Sequence, residues 1–322
     1  MLKIDYKILK DSKIKIVRCY GKNGKVKIPD QCNGMAVTSI GEYAFSPYKK
    51  KEEADVLSET MGKEYFTEDQ AELLCGNKIS EITLPHDTEE IGRYAFYGCA
   101  NLKKLRFSDS LLRTGAGIFT GCKLEEIYID FYHGNHSCMK EIVSDTRHLL
   151  TATLYYHMEN GIEEAKLVFP EYYEEAVENT PARIIENHFN GTGYKYRQCF
   201  FRDGIDFGKY DRLFEDATAQ EKPHIVEKLL FGRLLYPYQL EKDAKNNYLS
   251  YIAENREKII PSLVRQEHMR ALELLSKEKI WTRSSLDDAV DQAVLEEKPE
   301  ILSLLMNEKH RIFPKTRKTF EL

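Results

Sequence analysis

The sequence predicts an α/β repeat solenoid: a parallel sheet built from coils of about 23 residues, capped by an N-terminal hairpin and followed by an all-α region. Three observations predict it. Ile82-Thr-Leu-Pro85 … Ile91-Gly-Arg-Tyr-Ala-Phe96-Tyr-Gly-Cys99 is followed by Leu105-Arg-Phe107 … Thr114-Gly-Ala-Gly-Ile-Phe119-Thr-Gly-Cys122. Ile82 to Leu105, Phe96 to Phe119 and Cys99 to Cys122 are each 23 residues. An earlier copy, Ile40-Gly-Glu-Tyr-Ala-Phe45, is near identical to Ile91-Gly-Arg-Tyr-Ala-Phe96. From about Gly208 the apolar spacing changes from two to a helical period. A unit this short cannot bury its apolar side alone, so its neighbours must cover it.

In chain order, Leu2–Leu9 and Ile14–Tyr20 alternate around Lys10-Asp-Ser-Lys13, a hairpin that would cover the open edge of the first coil. Val26–Pro29 and Val37–Phe45 make that coil. Residues 46–77 interrupt the period; they open with the charged run Lys49–Glu53 and contain a helix from Thr67, its N-cap, to Leu74. Such an insertion reads as a solvated excursion or as a partner-binding projection.

In the coils, Ile82 and Leu84, Leu105 and Phe107, and Ile127 and Ile129 point inward. Glu81, Thr83, Lys104, Arg106, Glu126 and Tyr128 point outward, with Lys25 and Lys27 before them. Pro85 has no donor and ends its strand. Gly92 and Gly115 are expected at tight turns. Phe45, Phe96 and Phe119 fill the far side of the core. Cys99 and Cys122 read as small stacked hydrophobes, reactive thiols being the alternative.

Beyond Asp130 the pattern decays. A short helix over Ser137–Thr146, a strand over Leu149–Tyr156 and a turn at Glu159-Asn-Gly161 precede Lys166–Phe169, read as a degenerate coil start. Helices from about Tyr210 to Leu235 would cap this end. Domains are placed at 1–205 and 206–322. In the second, Ile225, Val226, Leu229 and Leu230 share one helix face, as do Ile301, Leu302 and Leu305, and Ser284 or Ser285 caps the helix between.

The motifs Ile82-x-Leu-Pro85, Ile91-Gly-x-Tyr-Ala-Phe96, Gly98-Cys99-x-x-Leu102 and Gly34-Met-Ala-Val-Thr-Ser-Ile-Gly41 resemble the BspA-like leucine-rich repeats, a bacterial class. The helical stretches around Leu229, Leu274 and Leu304 resemble ankyrin-type helical hairpins without that family's long turn; a plain helical bundle is the alternative. The first resemblance implies binding rather than catalysis.

Composition narrows the function classes. The 322 residues carry a formal net charge of −5, which disfavours a general nucleic-acid partner. No apolar run approaches the length of a membrane span, and the start, Met1-Leu-Lys-Ile-Asp-Tyr6, lacks a signal core. Seven cysteines at unpaired spacings suit a reducing compartment, so the cytoplasm is expected, the cell surface being the alternative.

No cofactor and no catalytic constellation are expected. Gly115-Ala-Gly117-Ile-Phe-Thr-Gly121 follows the repeat register rather than a nucleotide loop's spacing. His133, His136 and Cys138, with His148 and His157 further on, are a conceivable zinc set, but lack regularly spaced pairs; a hydrolase within 130–205 would have only these residues to draw on. The expected function is a non-enzymatic scaffold for an unidentified protein partner, or else a surface adhesin. The outward Glu81, Thr83, Lys104, Arg106, Glu126 and Tyr128 are the candidate binding face; alternating charge across the strands would make them a self-neutralised ladder.

Overall fold

A computed structural model describes residues 2–48, 54–61, 72–179 and 184–314. They form two compact units, Met1–Val226 and Glu227–Leu322. The helices over 207–220, placed with the helical region by their periodicity, therefore belong to the sheet-containing unit.

The coils of the first unit stack in the register that the repeat requires. Among the described residues the sheet built from the coil starts, the coil sheet, has six strands: Lys25–Lys27, Glu81–Thr83, Lys104–Ser108, Glu126–Phe131 and Leu150–Met158 run parallel, and Gly161–Phe169 returns antiparallel. Val26, Ile82, Leu105, Ile127 and Ala152 pair across it and are all buried. Lys166–Phe169 is thus not the start of a further coil. The turn after Met158 pairs that residue with Gly161 and sends the chain straight back.

The return segments also ladder, which the repeat pattern did not announce. Met35–Ile40, Glu90–Ile91 and Arg113–Thr114 pair in parallel. The N-terminal hairpin, Leu2–Ile8 with Ile14–Gly21, joins this second sheet through Met35–Ile40. It buries Ile4, Tyr6, Ile14, Ile16 and Cys19. It therefore extends this second sheet, which has eight strands among the described residues, instead of the coil sheet, which ends at the three-residue strand Lys25–Lys27. The insertion folds back on the same hairpin: Leu57–Met61 pairs with Leu2–Ile8, and Glu72–Leu73 with Tyr20–Gly21. Most of the helix expected over Thr67–Leu74, including its cap, lies outside the described residues, as does the charged run Lys49–Glu53.

Stacked rings fill the far side of the core. Phe45 lies 5.3 Å from Phe96, and Phe96 lies 5.7 Å from Phe119, centroid to centroid. Cys99 donates its thiol to the Phe45 carbonyl at 3.2 Å, and Cys122 to that of Phe96 at 3.1 Å. The glycines have a reason other than turn geometry. A Cβ on Gly92 would stand 2.6 Å from the Glu42 nitrogen, and one on Gly115 2.4 Å from the Arg93 nitrogen. These residues let successive coils touch. The left-handed backbone falls two positions later, at Tyr43, Tyr94 and Gly117, with φ of 54°, 54° and 64°.

The far end is closed by aromatic and cationic side chains. Tyr210, on the helix Phe207–Arg212, donates its hydroxyl to the Val168 carbonyl and accepts from the Val168 amide, both at 2.7 Å. It thereby satisfies the outer edge of the last strand. Arg197 is buried and, among the described residues, donates to the carbonyls of Val143, Thr146, His148, Pro170 and Gly193. Burial lowers its pKa to about 10, which still leaves it charged at neutral pH. The ribbon Tyr173–Asn179 with Ile184–Asn190 is anchored where Phe189 stacks on Tyr194 at 3.7 Å.

In the second unit, two helical pairs, Arg256–Arg265 with Met269–Lys277 and Arg283–Leu295 with Pro299–Ile312, repeat one connection. Glu267 and Glu297, 30 residues apart, are left-handed at φ 52° and 54°. His268 N–H bonds to Leu263 and Lys298 N–H to Ala293, the six-to-one bond of a Schellman stop. The N-cap of Arg283–Leu295 is Thr282, in a capping box with Ser285, rather than Ser284 or Ser285 itself.

Candidate binding face of the coil sheet

Strand register brings the outward residues into rows. Lys25, Glu81, Lys104, Glu126 and Thr151 are consecutive cross-strand neighbours; so are Lys27, Thr83, Arg106, Tyr128 and Thr153. The charges pair along the rows. Lys25 stands 3.7 Å from Glu81, and Lys104 3.0 Å from Glu126. Tyr128 donates its hydroxyl to the Glu126 carboxylate. Burial would raise Glu126, but the bonds from Tyr128 and Lys104 outweigh it and hold the carboxyl below its ordinary pKa. Burial and the same bond push the Tyr128 phenol up to about 12. This part of the face is a ladder of internally satisfied charge. Each exposed pair contributes about 0.2–1 kcal/mol.

The chemistry concentrates one step further along the strands. Arg106 forks onto Asp130 through Nε and a terminal nitrogen, both at 2.8 Å, and lies over the Tyr155 ring at 5.1 Å. Burial would lower the guanidinium, yet Asp130 more than compensates and raises it. Asp130 is nearly buried and also meets His157 Nε2 at 3.0 Å. The His157 ring stacks on Tyr132 at 4.1 Å, and Tyr132 also touches His86 at 4.7 Å.

The Tyr132 and His86 rings are held by backbone that is itself fixed. The buried Asp109 carboxylate accepts from the amides of Tyr132 at 2.9 Å and His133 at 2.5 Å; Asp30 accepts from the amide of His86 at 2.8 Å. Asp30 and Asp109 occupy the same position of their coils, two residues after inward Ile28 and Phe107. The result is a preorganised patch of Arg106, Tyr132, Tyr155, His157 and His86, with Tyr132 42% exposed.

The sequence-derived face, Glu81, Thr83, Lys104, Arg106, Glu126 and Tyr128, is thus contiguous, but only Arg106 belongs to the aromatic patch. Asp130 was within reach of the sequence, since it has the same outward parity as Glu126 and Tyr128. Tyr155 and His157 were not, because their coil has lost the repeat motif and only its register aligns them.

The other histidines disperse. His133 lies 3.4 Å from Asp109, and His148 3.3 Å from Glu171. His136 is exposed, while Cys138 is buried and its thiol is pushed well up by that burial. Among the described residues no group of three or more His, Cys, Asp or Glu side chains is placed to hold a metal ion, nor is any helix long and apolar enough to cross a membrane.

Comparison with known proteins agrees with this architecture over part of the chain. Residues 67–144 match the family described as the BspA type leucine rich repeat region, in six copies. Searches of curated proteins and of solved structures found no match. Leucine-rich repeats generally serve as protein-interaction modules, and the stretch that matches carries Arg106, Asp130, Tyr132 and His86.

Proposed function

We propose that the chain is a non-enzymatic protein-binding scaffold, and that the Arg106–Asp130–His157 patch with Tyr132 and Tyr155 is its principal contact surface. The observation that carries this reading is the fixing of half-exposed aromatic rings and an arginine by nearly buried carboxylates. Tyr and Arg dominate interaction hot spots, and rings held in place lose little entropy on binding. The outward Glu81, Thr83, Lys104, Glu126 and Tyr128 then form a polar, water-excluding border. We read the second unit as ankyrin-like, a second surface built from helical pairs; the 30-residue recurrence of its helix stops supports this. The cytoplasm is the proposed compartment, the odd number and unpaired spacing of the seven cysteines being the supporting observation.

The test uses the full chain as bait in extract from its source cells, with cross-linking to locate the contact. The double variant Arg106→Ala/Tyr132→Ala should lose the partner captured by the wild type, by at least tenfold. Arg113→Ala, 62% exposed on the return sheet, should keep it. Equal capture by the double variant would defeat the assignment. Recovery of the intact protein outside the cells would favour the surface-adhesin reading instead.

A further inference from the structure

We propose that Cys99 and Cys122 are a site for an intrachain disulfide that staples two successive coils. They occupy one position of the repeat, 23 residues apart, and the coils touch beside them. Gly98 donates its amide to the Thr120 carbonyl at 2.9 Å, and a Cβ on Gly121 would lie 3.4 Å from the Gly98 Cα. Laddered backbones stand ~4.8 Å apart. That lies within the ~4.4–6.8 Å window of Cα separations that a disulfide spans. The Cys122 thiol already points toward the coil of Cys99, where it meets the Phe96 carbonyl.

Access is one-sided, which sets the order of steps. Cys99 is fully buried, whereas Cys122 is partly exposed. A low-molecular-weight disulfide, RSSR, is therefore met first by Cys122. Its thiolate attacks one sulfur of RSSR, forming a mixed disulfide and expelling RS⁻. Cys99 then loses its proton to solvent and attacks the Cys122 sulfur, expelling the second RS⁻. Two protein S–H bonds and one RSSR are converted to one protein disulfide and two RSH. The protein gives up two electrons and RSSR takes them. The neighbouring Cys122 thiol and burial both push the Cys99 thiol up and keep it protonated, so the second step is slow and accelerates as pH rises. Closing the bond gives up the two weak thiol-to-carbonyl contacts and turns the Cys99 sulfur from the Phe45 carbonyl toward Cys122.

The test treats the native full chain with oxidised glutathione, followed by intact mass and an unreduced digest. The expected result is loss of two hydrogens and a cross-linked peptide joining residues 99 and 122. Cys99→Ala and Cys122→Ala should each abolish that peptide, whereas Cys75→Ala should retain it. Cys75 is the other partly exposed thiol and feels the charge of Cys99, so it is the direct competitor. A peptide joining 75 to 99, a glutathione adduct that persists on Cys122, or no reaction at all would each overturn the proposal. The readout on the wild-type chain needs no variant to fold.

Discussion

Replacing Phe96 by alanine tests the stacked-coil core most directly. Phe96 has no exposed surface and is sandwiched between Phe45 at 5.3 Å and Phe119 at 5.7 Å. Truncating a buried Phe costs about 3–5 kcal/mol, from lost transfer energy and the cavity left behind. The loss should fall in the upper half of that range. Two ring stacks vanish together, each carrying about 0.5–1.5 kcal/mol beyond buried area. Coils are stabilised by their neighbours, and Phe96 serves both of its interfaces.

Lys104→Ala is the matched control on the outward face. Its ammonium stands 3.0 Å from Glu126 with the side chain 41% exposed, so about 0.2–1 kcal/mol is at stake. In urea melts followed by far-UV circular dichroism, Phe96→Ala should lower the midpoint by roughly 1.3–2.5 M, given a slope of about 2–3 kcal/mol per molar for a chain of this size. Lys104→Ala should move it by less than about 0.5 M. Equal shifts would refute the division into inward and outward faces.

Three further outcomes are expected. Gly92→Ala should destabilise by about 1–3 kcal/mol in the same melts, because its Cβ would press on the Glu42 amide at 2.6 Å and coil contact would have to open. Arg197→Lys should cost about 2–4 kcal/mol, since an ammonium cannot reach five carbonyls spread around a planar fork and each buried carbonyl left bare costs about 1–3 kcal/mol; a neutral result would show the carbonyls to be otherwise satisfied. Tyr210→Phe should cost about 2–5 kcal/mol and speed amide exchange at Val168, whose N–H and C=O both rely on that hydroxyl; unchanged exchange there would show the edge to be covered by other means.

What the sequence determined is whatever repeats. The period of 23 set the parallel register, and alternation within each strand set which side chains face inward. Ile82, Leu105 and Ile127 therefore stack, and the charged outward rows are neighbours. The Phe column and the Cys positions follow from the same period. The helical pairs were legible too, because a 3.6-residue spacing of Leu and Ile is a local property that needs no partner to be read.

Tertiary structure decided everything that joins non-equivalent positions. No pattern announces that the hairpin ladders onto the return segments and the insertion onto the hairpin, because sheet pairing depends on which edge stands free. Nor does one announce that Lys166–Phe169 runs antiparallel. Arg197 is buried because carbonyls of residues 143–148, of Pro170 and of Gly193 close around it, a convergence no local pattern spells. The candidate patch divides the same way. Arg106 and Asp130 were readable by parity, being on regular strands. His157, Tyr155 and His86 come from a degenerate coil and from a position after Pro85, and only the stacking of coils carries their rings to one place. Repetition is a one-dimensional signal, whereas a binding patch is a two-dimensional one drawn across neighbouring coils, so the chain spells the ladder and folding alone assembles the site.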